Sequence, residues 1–185
     1  MTTDEKRSEA QKKIREAYGT SQIFRHRANF YRAGQRWLAF LGIAVPVLVG
    51  GVVLSFSNYK DLLPILLPIV GVVGITQLVL SVWSLVNKWD DAYEYSVKSQ
   101  DRNAELEFNW QTLADSQPAD IEARYEPLRL ANSQQAQSDD RQNVSQKERR
   151  RAMRATLFKF QTACAVCKQV PTSIKPSACD CCGNF

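Results

Sequence analysis

The sequence predicts an all-α membrane protein: a two-helix transmembrane hairpin, long cytosolic helical extensions and a small C-terminal zinc-knuckle-like tail. Three observations lead there. Trp37 to Tyr59 contains no Asp, Glu, Lys, Arg or His, and Leu62 to Asn87 is equally free of them. All five cysteines of the 185-residue chain lie from Cys164 onward. Although 44% of the residues are hydrophobic, about two-fifths of them are concentrated in the two uncharged blocks. A soluble enzyme built around one large core therefore does not fit. Four regions follow: 1–36, basic and helical; 37–87, the hairpin with spans 37–59 and 62–87; 88–163, helical; and 164–185, the cysteine tail.

The net charge of +5 hides an alternation. Residues 1–36 carry +5, 37–87 zero, 88–140 −7, 141–163 +6 and 164–185 +1. A uniform polyanion-binding surface does not follow from such a pattern.

As helices the two uncharged runs reach about 35 Å and about 39 Å, enough to cross a hydrocarbon layer of about 30 Å with tilt. The first begins too late and runs too long for a cleaved leader. Trp37 and Tyr59 stand at its ends as aromatic anchors. Only Ser57, Asn58, Tyr59, Lys60 and Asp61 separate the runs, so both termini fall on one side. Arg25, Arg27, Arg32 and Arg36 before the first span and Lys88 after the second outnumber Lys60, which places that side in the cytoplasm of a multi-pass inner-membrane protein. Asp61 is positioned to cap the second helix, with Pro64 in its first turn and Pro68 deeper. Pro46, Gly50, Gly51, Gly71 and Gly74 imply close helix association, as ordinary transmembrane packing also does.

Gln77, Ser81, Ser84, Lys88, Asp91, Tyr95, Lys98 and Arg102 recur at alternating steps of four and three. One polar stripe is therefore expected to run from mid-membrane into the cytosol along a single helix reaching Ala114. Gln77, Ser81, Ser84 and Lys88 can line a pore, or Gln77 and the serines can hydrogen-bond between helices. One hairpin cannot enclose water, so a pore requires a homo-oligomer, a tetramer at least.

In the N-terminal region Ile14, Tyr18, Ile23, Phe24, Phe30 and Tyr31 form a loose apolar face, and Thr20 after Gly19 offers a helix cap. Pro118 marks a turn, and a helix kinked by Pro127 is expected from Ile121 to about Gln137. Residues 133–145, rich in Ser, Gln, Asn and Asp, read as an exposed linker or a loosely held helix end. Ser145 and Glu148 form a capping box opening a helix to about Thr162. Its Arg149, Arg150, Arg151 and Arg154 are candidates for binding phosphate, anionic lipid or the acidic 88–140 region.

The pairs Cys164/Cys167 and Cys179/Cys182 each leave two residues between sulfurs, so that both face one tetrahedral ion. Gly183 lets the backbone curl back. Four thiolates leave no open position for water, so the expected role of a bound Zn2+ is structural. Cys181 is a spare thiol, and redox sensing is the other reading. Catalysis finds no support: His26 stands alone in a basic helix, and neighbouring acids such as Asp90 and Asp91 do not face one site.

The basic lead, the two spans, the helical extension and the C-x2-C-x11-C-x2-C tail from Cys164 together resemble the SLATT two-transmembrane effectors, specifically their mobile-element subgroup. The resemblance implies a homo-oligomeric pore in the bilayer that arrests infected bacteria as part of an antiphage, abortive-infection system. In Hailong-type systems it further implies gating by a nucleotide or oligonucleotide made by a neighbouring nucleotidyltransferase. The other function class is a membrane-anchored zinc-knuckle module that captures nucleic acid or a protein.

Overall fold

A computed structural model describes residues 1–56 and 63–185. Five α-helices make up its regular structure, with no strand among the described residues: α1 (Thr3–Phe56), α2 (Leu63–Val86), α3 (Trp89–Ala114), α4 (Pro118–Asp140) and α5 (Gln146–Lys159). The expected anchor Tyr59, the loop with Lys60 and the cap Asp61 lie outside the described residues. The chain divides into two compact units, one of 1–27 with 95–185 and one of 28–94.

The larger unit is built on an apolar seam. Ala10, Ile14 and Ala17 on α1, Leu106, Trp110 and Leu113 on α3, and Ile121 and Tyr125 on α4 recur every three or four residues and form its core. Trp110 is fully buried. It packs edge-on to Tyr125 with centroids 6.0 Å apart, and its indole N–H donates to Asn132 at 3.0 Å. Burying each large side chain contributes roughly 1.5–3 kcal/mol, so this seam outweighs the surface ion pairs around it.

A second set of contacts fixes α5. Its capping box forms as expected: the Ser145 hydroxyl accepts from the Glu148 N–H, and the Glu148 side chain accepts from the Ser145 N–H. The same carboxylate takes two bonds from Arg27 of α1, at 2.6 and 2.9 Å. Arg27 also donates to the carbonyls of Gln142 and Asn143 at 2.8 and 3.1 Å. At the other end of α5, Lys159 pairs with Glu107 at 2.5 Å and sits 4.0 Å from the Tyr18 ring centre.

Three expectations are corrected. Gly19 and Thr20 do not cap a helix: α1 runs through them unbroken, and the Thr20 hydroxyl donates back to the Glu16 carbonyl. Gly19 instead admits α5, since a Cβ there would stand 3.0 Å from the Thr156 hydroxyl. Of the two readings of residues 133–145, the linker fails through 140 and the helix end holds, because α4 continues to Asp140. The second span does not run on as one helix to Ala114: α2 ends at Val86, and Lys88 adopts a left-handed φ of 50°. The Trp83 carbonyl accepts both the Asn87 backbone N–H at 3.0 Å and the Asn87 side-chain amide at 2.9 Å, and the next N–H, of Lys88, turns instead to the Leu85 carbonyl at 3.1 Å.

In the smaller unit α1 and α2 are long and apolar enough to cross a membrane, and none of the residues in their apolar windows is buried. The two helices meet at Gly42, where a Cβ would stand 3.5 Å from the Gln77 amide. Gly34 lies under Trp89, whose ring would be 2.8 Å from an added Cβ. Phe30 and Tyr31 pack around the same indole with centroids 6.4 and 6.2 Å away.

The Glu148 carboxyl is pushed up by burial, but the bonds from Arg27 and Ser145 outweigh this and hold it at about 2. A depressed folded-state value stabilises the fold above the ordinary glutamate range, near about 4.3. That contribution is lost as the pH falls through this range toward about 2. Thermal melts followed by helical circular dichroism across pH 2–6 are expected to lose part of their acid-induced destabilisation in Glu148→Gln, which is less stable than wild type at pH 6.

Candidate metal centre

The tail begins where α5 stops. Gln161, with φ 49°, turns the chain out of the helix, and Lys168, with φ 58°, turns it again after the first cysteine pair. The Lys168 N–H donates to the Cys164 carbonyl at 2.9 Å, and the Cys164 N–H to the Gln169 carbonyl at 3.0 Å. The second pair is closed by the N–H groups of Gly183 and Asn184, both donating to the Cys179 carbonyl, at 2.8 and 2.9 Å. Two tight loops thus present their sulfurs toward each other.

The Sγ atoms of Cys164, Cys167, Cys179 and Cys182 all lie within 4.8 Å of one another. Those of Cys167 and Cys182 are 3.9 Å apart. Thiolates around an ion at about 2.3 Å would have a tetrahedral edge of about 3.8 Å, so the four sulfurs fit a metal site. Each loop also supplies amides to its leading sulfur: Cys164 is approached by the N–H groups of Cys167 and Val166, and Cys179 by those of Cys182 and Cys181. Burial raises the Cys164 thiol, but these amides and the neighbouring sulfurs overcome it and hold the group at about 6. Burial and bonds to Cys179 and Cys164 push Cys182 up to about 12. Sulfurs this close cannot all ionise alone, because each thiolate opposes the next; a cation held among them would bring all four to thiolates. Cys181 packs against the same cluster, half-buried, and burial raises its thiol.

Gly183 is required for space rather than for backbone freedom. It has no positive φ, but a Cβ there would come 1.9 Å from the Ser177 hydroxyl and 2.7 Å from the Ser177 carbonyl oxygen.

Three of the four arginines named as anion-binding candidates hold this tail. Arg154 is buried and donates to the Ser173 carbonyl and the Ser177 hydroxyl, both at 2.9 Å. Arg150 donates to the Asn184 carbonyl at 3.1 Å. Arg151 contacts His26 and lies 5.9 Å from the Phe185 ring centre. Arg149 alone borders a cavity, beside Glu16, Asp139 and Asp140. A wall with three carboxylates does not favour phosphate.

The pore-lining candidates divide as well. Gln77, Ser81 and Ser84 are half-buried, while Lys88 is exposed at the break. Oriented to satisfy both groups, the Gln77 amide donates to the Leu41 carbonyl at 3.3 Å and accepts from the Gly42 N–H at 3.0 Å. Ser81 donates to the Gln77 carbonyl at 2.9 Å. Within one chain this part of the stripe is the contact face between α1 and α2.

Sequence reasoning missed a buried polar cluster around Asp139. Its Oδ1 accepts from Tyr95 at 2.8 Å, Ser99 at 2.6 Å and Gln135 at 2.9 Å, and its Oδ2 accepts from Asn103 at 2.8 Å. The signal was available in Tyr95, Ser99 and Asn103 at four-residue steps, opposite Gln135 and Asp139 at the same step.

Gly183→Ala is expected to lower metal affinity by at least about tenfold, the scale of outer-shell damage to a metal site. Chelator competition on the purified chain measures it. Gly50→Ala, which meets nothing within 4 Å, is expected to leave the affinity unchanged.

No curated protein and no solved structure matches the chain. A family model, described as Mobilome CxxCx(11)CxxC protein, matches residues 7–185, and its defining spacing is that of the four clustered cysteines. The chain belongs to that family.

Proposed function

We propose that the chain is a SLATT-type effector: a homo-oligomeric pore of the bacterial inner membrane, multi-pass with both termini cytoplasmic, set by a signal acting on its cytosolic helices. The observation that supports it most is the pair of span-length helices whose apolar windows are wholly unburied, joined through a polar contact at Gln77. Apolar surface of that extent needs lipid or further copies. In the closed protomer Gln77 bonds the α1 backbone at Leu41 and Gly42, Ser81 donates to the Gln77 carbonyl, and half-buried Ser84 lies one turn further along α2. Turning α2 within an oligomer would present them to water and line a conducting path. Arg25, Arg32 and Arg36 before the first span support the orientation.

The antiphage role and the nucleotide or oligonucleotide signal, made by a neighbouring nucleotidyltransferase, rest on the resemblance. Of the candidate arginines for that signal, Arg154 is buried against the tail, while Arg149 and Arg151 are exposed and Arg150 is half-buried. The metal is read as structural zinc, because four sulfur ligands close the coordination sphere. A second reading, a membrane-anchored protein-capture module, is favoured by exposed Val166 and Ile174 on the tail.

Reconstituted in planar bilayers, the assembled protein is expected to conduct ions, either alone or with added cyclic and linear oligonucleotides. Gln77→Leu with Ser81→Leu is expected to abolish conductance while leaving the oligomer intact on native mass spectrometry. Absence of conductance from the wild type under all these conditions overturns the pore and leaves the capture module.

A further inference from the structure

In the smaller unit one face of α1 is engaged and the opposite face is open. Tyr31 and Gly34 pack on Trp89, and the Gln35 amide donates to Asp90 at 2.7 Å. The open face presents Ala33, Arg36, Trp37 and Phe40 at helical steps of three and four. These four line an open groove of about 430 Å³. Trp37 and Phe40 meet edge-on with ring centroids 5.9 Å apart, and the small Ala33 leaves the space beside them free. Ile43 and Val47 continue the same face deeper into the apolar segment. Trp37, Phe40, Ile43 and Val47 are each between 59% and 72% exposed.

The polar groups of this face stand at one end. Arg36 is exposed, and neither its guanidinium nor the Trp37 indole N–H has a hydrogen-bond or ion-pair partner among the described residues. Asp90, the acid that this part of α1 meets, is already taken by Gln35. Arg32, one turn earlier, lies 6.0 Å from the Tyr93 ring centre. From Arg36 to Val47 the helix rises roughly 16 Å at about 1.5 Å per residue, about half of a hydrocarbon layer about 30 Å thick. A guanidinium fork with an indole donor beside it, followed by an apolar stripe one leaflet deep, has the charge and the length of a phospholipid. A second copy packed on this face, with its termini on the same side, would instead set Arg36 against Arg36.

We propose that this groove holds one anionic phospholipid, its phosphate on Arg36 and the Trp37 indole N–H and an acyl chain along Phe40, Ile43 and Val47. The site rests on the reading of α1 as a membrane span. A zwitterionic headgroup binds more weakly, because it carries its own cation beside the phosphate and that charge opposes Arg36.

Native mass spectrometry of the full chain, released from detergent containing equal amounts of phosphatidylglycerol and phosphatidylcholine, tests the site. One phosphatidylglycerol per chain is expected to be retained in preference to phosphatidylcholine. Arg36→Gln is expected to weaken that retention about tenfold, the scale of one charge-assisted hydrogen bond. Ala33→Trp, which fills the groove and leaves the charge unchanged, is expected to abolish it with unaltered helical circular dichroism, while Arg25→Gln on the larger unit leaves it intact. Equal retention of the two lipids, or retention of phosphatidylglycerol that survives both Arg36→Gln and Ala33→Trp, overturns the proposal. So does a chain that retains neither lipid and dimerises more tightly as Arg36→Gln, which has a second copy on this face. Flotation with phosphatidylcholine vesicles after a carbonate wash separates the site from the span beneath it. A chain that floats but shows no preference for phosphatidylglycerol keeps the span and loses the site, whereas one that does not float loses both.

Discussion

The larger unit depends on one carboxylate. Glu148 closes the capping box that starts α5 and accepts both bonds of the Arg27 guanidinium, so a single side chain begins a helix and docks it on α1. The Arg27 and Glu148 side chains are only 19% and 25% exposed. At that burial a bidentate charge-assisted pair is worth more than an ordinary surface ion pair. Arg27 extends the connection to the carbonyls of Gln142 and Asn143, which closes the turn between α4 and α5.

What α5 carries depends on that docking. Arg154 and Arg150 reach from it to the tail, and Leu157 packs on Cys164 and Cys182. The helix is thus the platform of the metal centre, while the metal would lock the loops that Gly183 allows to close. The cavity at the end of α4 belongs to the same arrangement, since Val144 and Arg149 on its wall flank the capped start of α5. The paired apolar helices are a separate problem in physics: Gln77 and Ser81 of their polar stripe are bonded within the chain, and their outer surfaces are what a lipid environment would cover.

Patterns that act over three or four residues were legible in the sequence. The Ser145/Glu148 box, the cysteine spacing and the two apolar helices all rest on local periodicity, and each appears where the residues place it. What depended on distant partners was not legible. Arg150, Arg151 and Arg154 read as candidates for phosphate, anionic lipid or the acidic 88–140 region because their partners, Asn184, His26, Ser173 and Ser177, lie far along the chain. Residues 133–145 read as a linker or a loosely held helix end because polar composition does not reveal that Asp139 meets Ser99 and Asn103 and is joined by Gln135. The break after Val86 lies at Lys88, whose left-handed φ of 50° has no marker in the polar stripe that runs through it.

The central claim is that the Arg27–Glu148 pair organises the larger unit, and a double-mutant cycle tests it most directly. Arg27→Met, Glu148→Gln and the double variant are compared with wild type by chemical unfolding at neutral pH. The account requires a coupling of at least about 1.5 kcal/mol, the range of desolvated, hydrogen-bonded pairs. Additive effects, with coupling near zero, would contradict it.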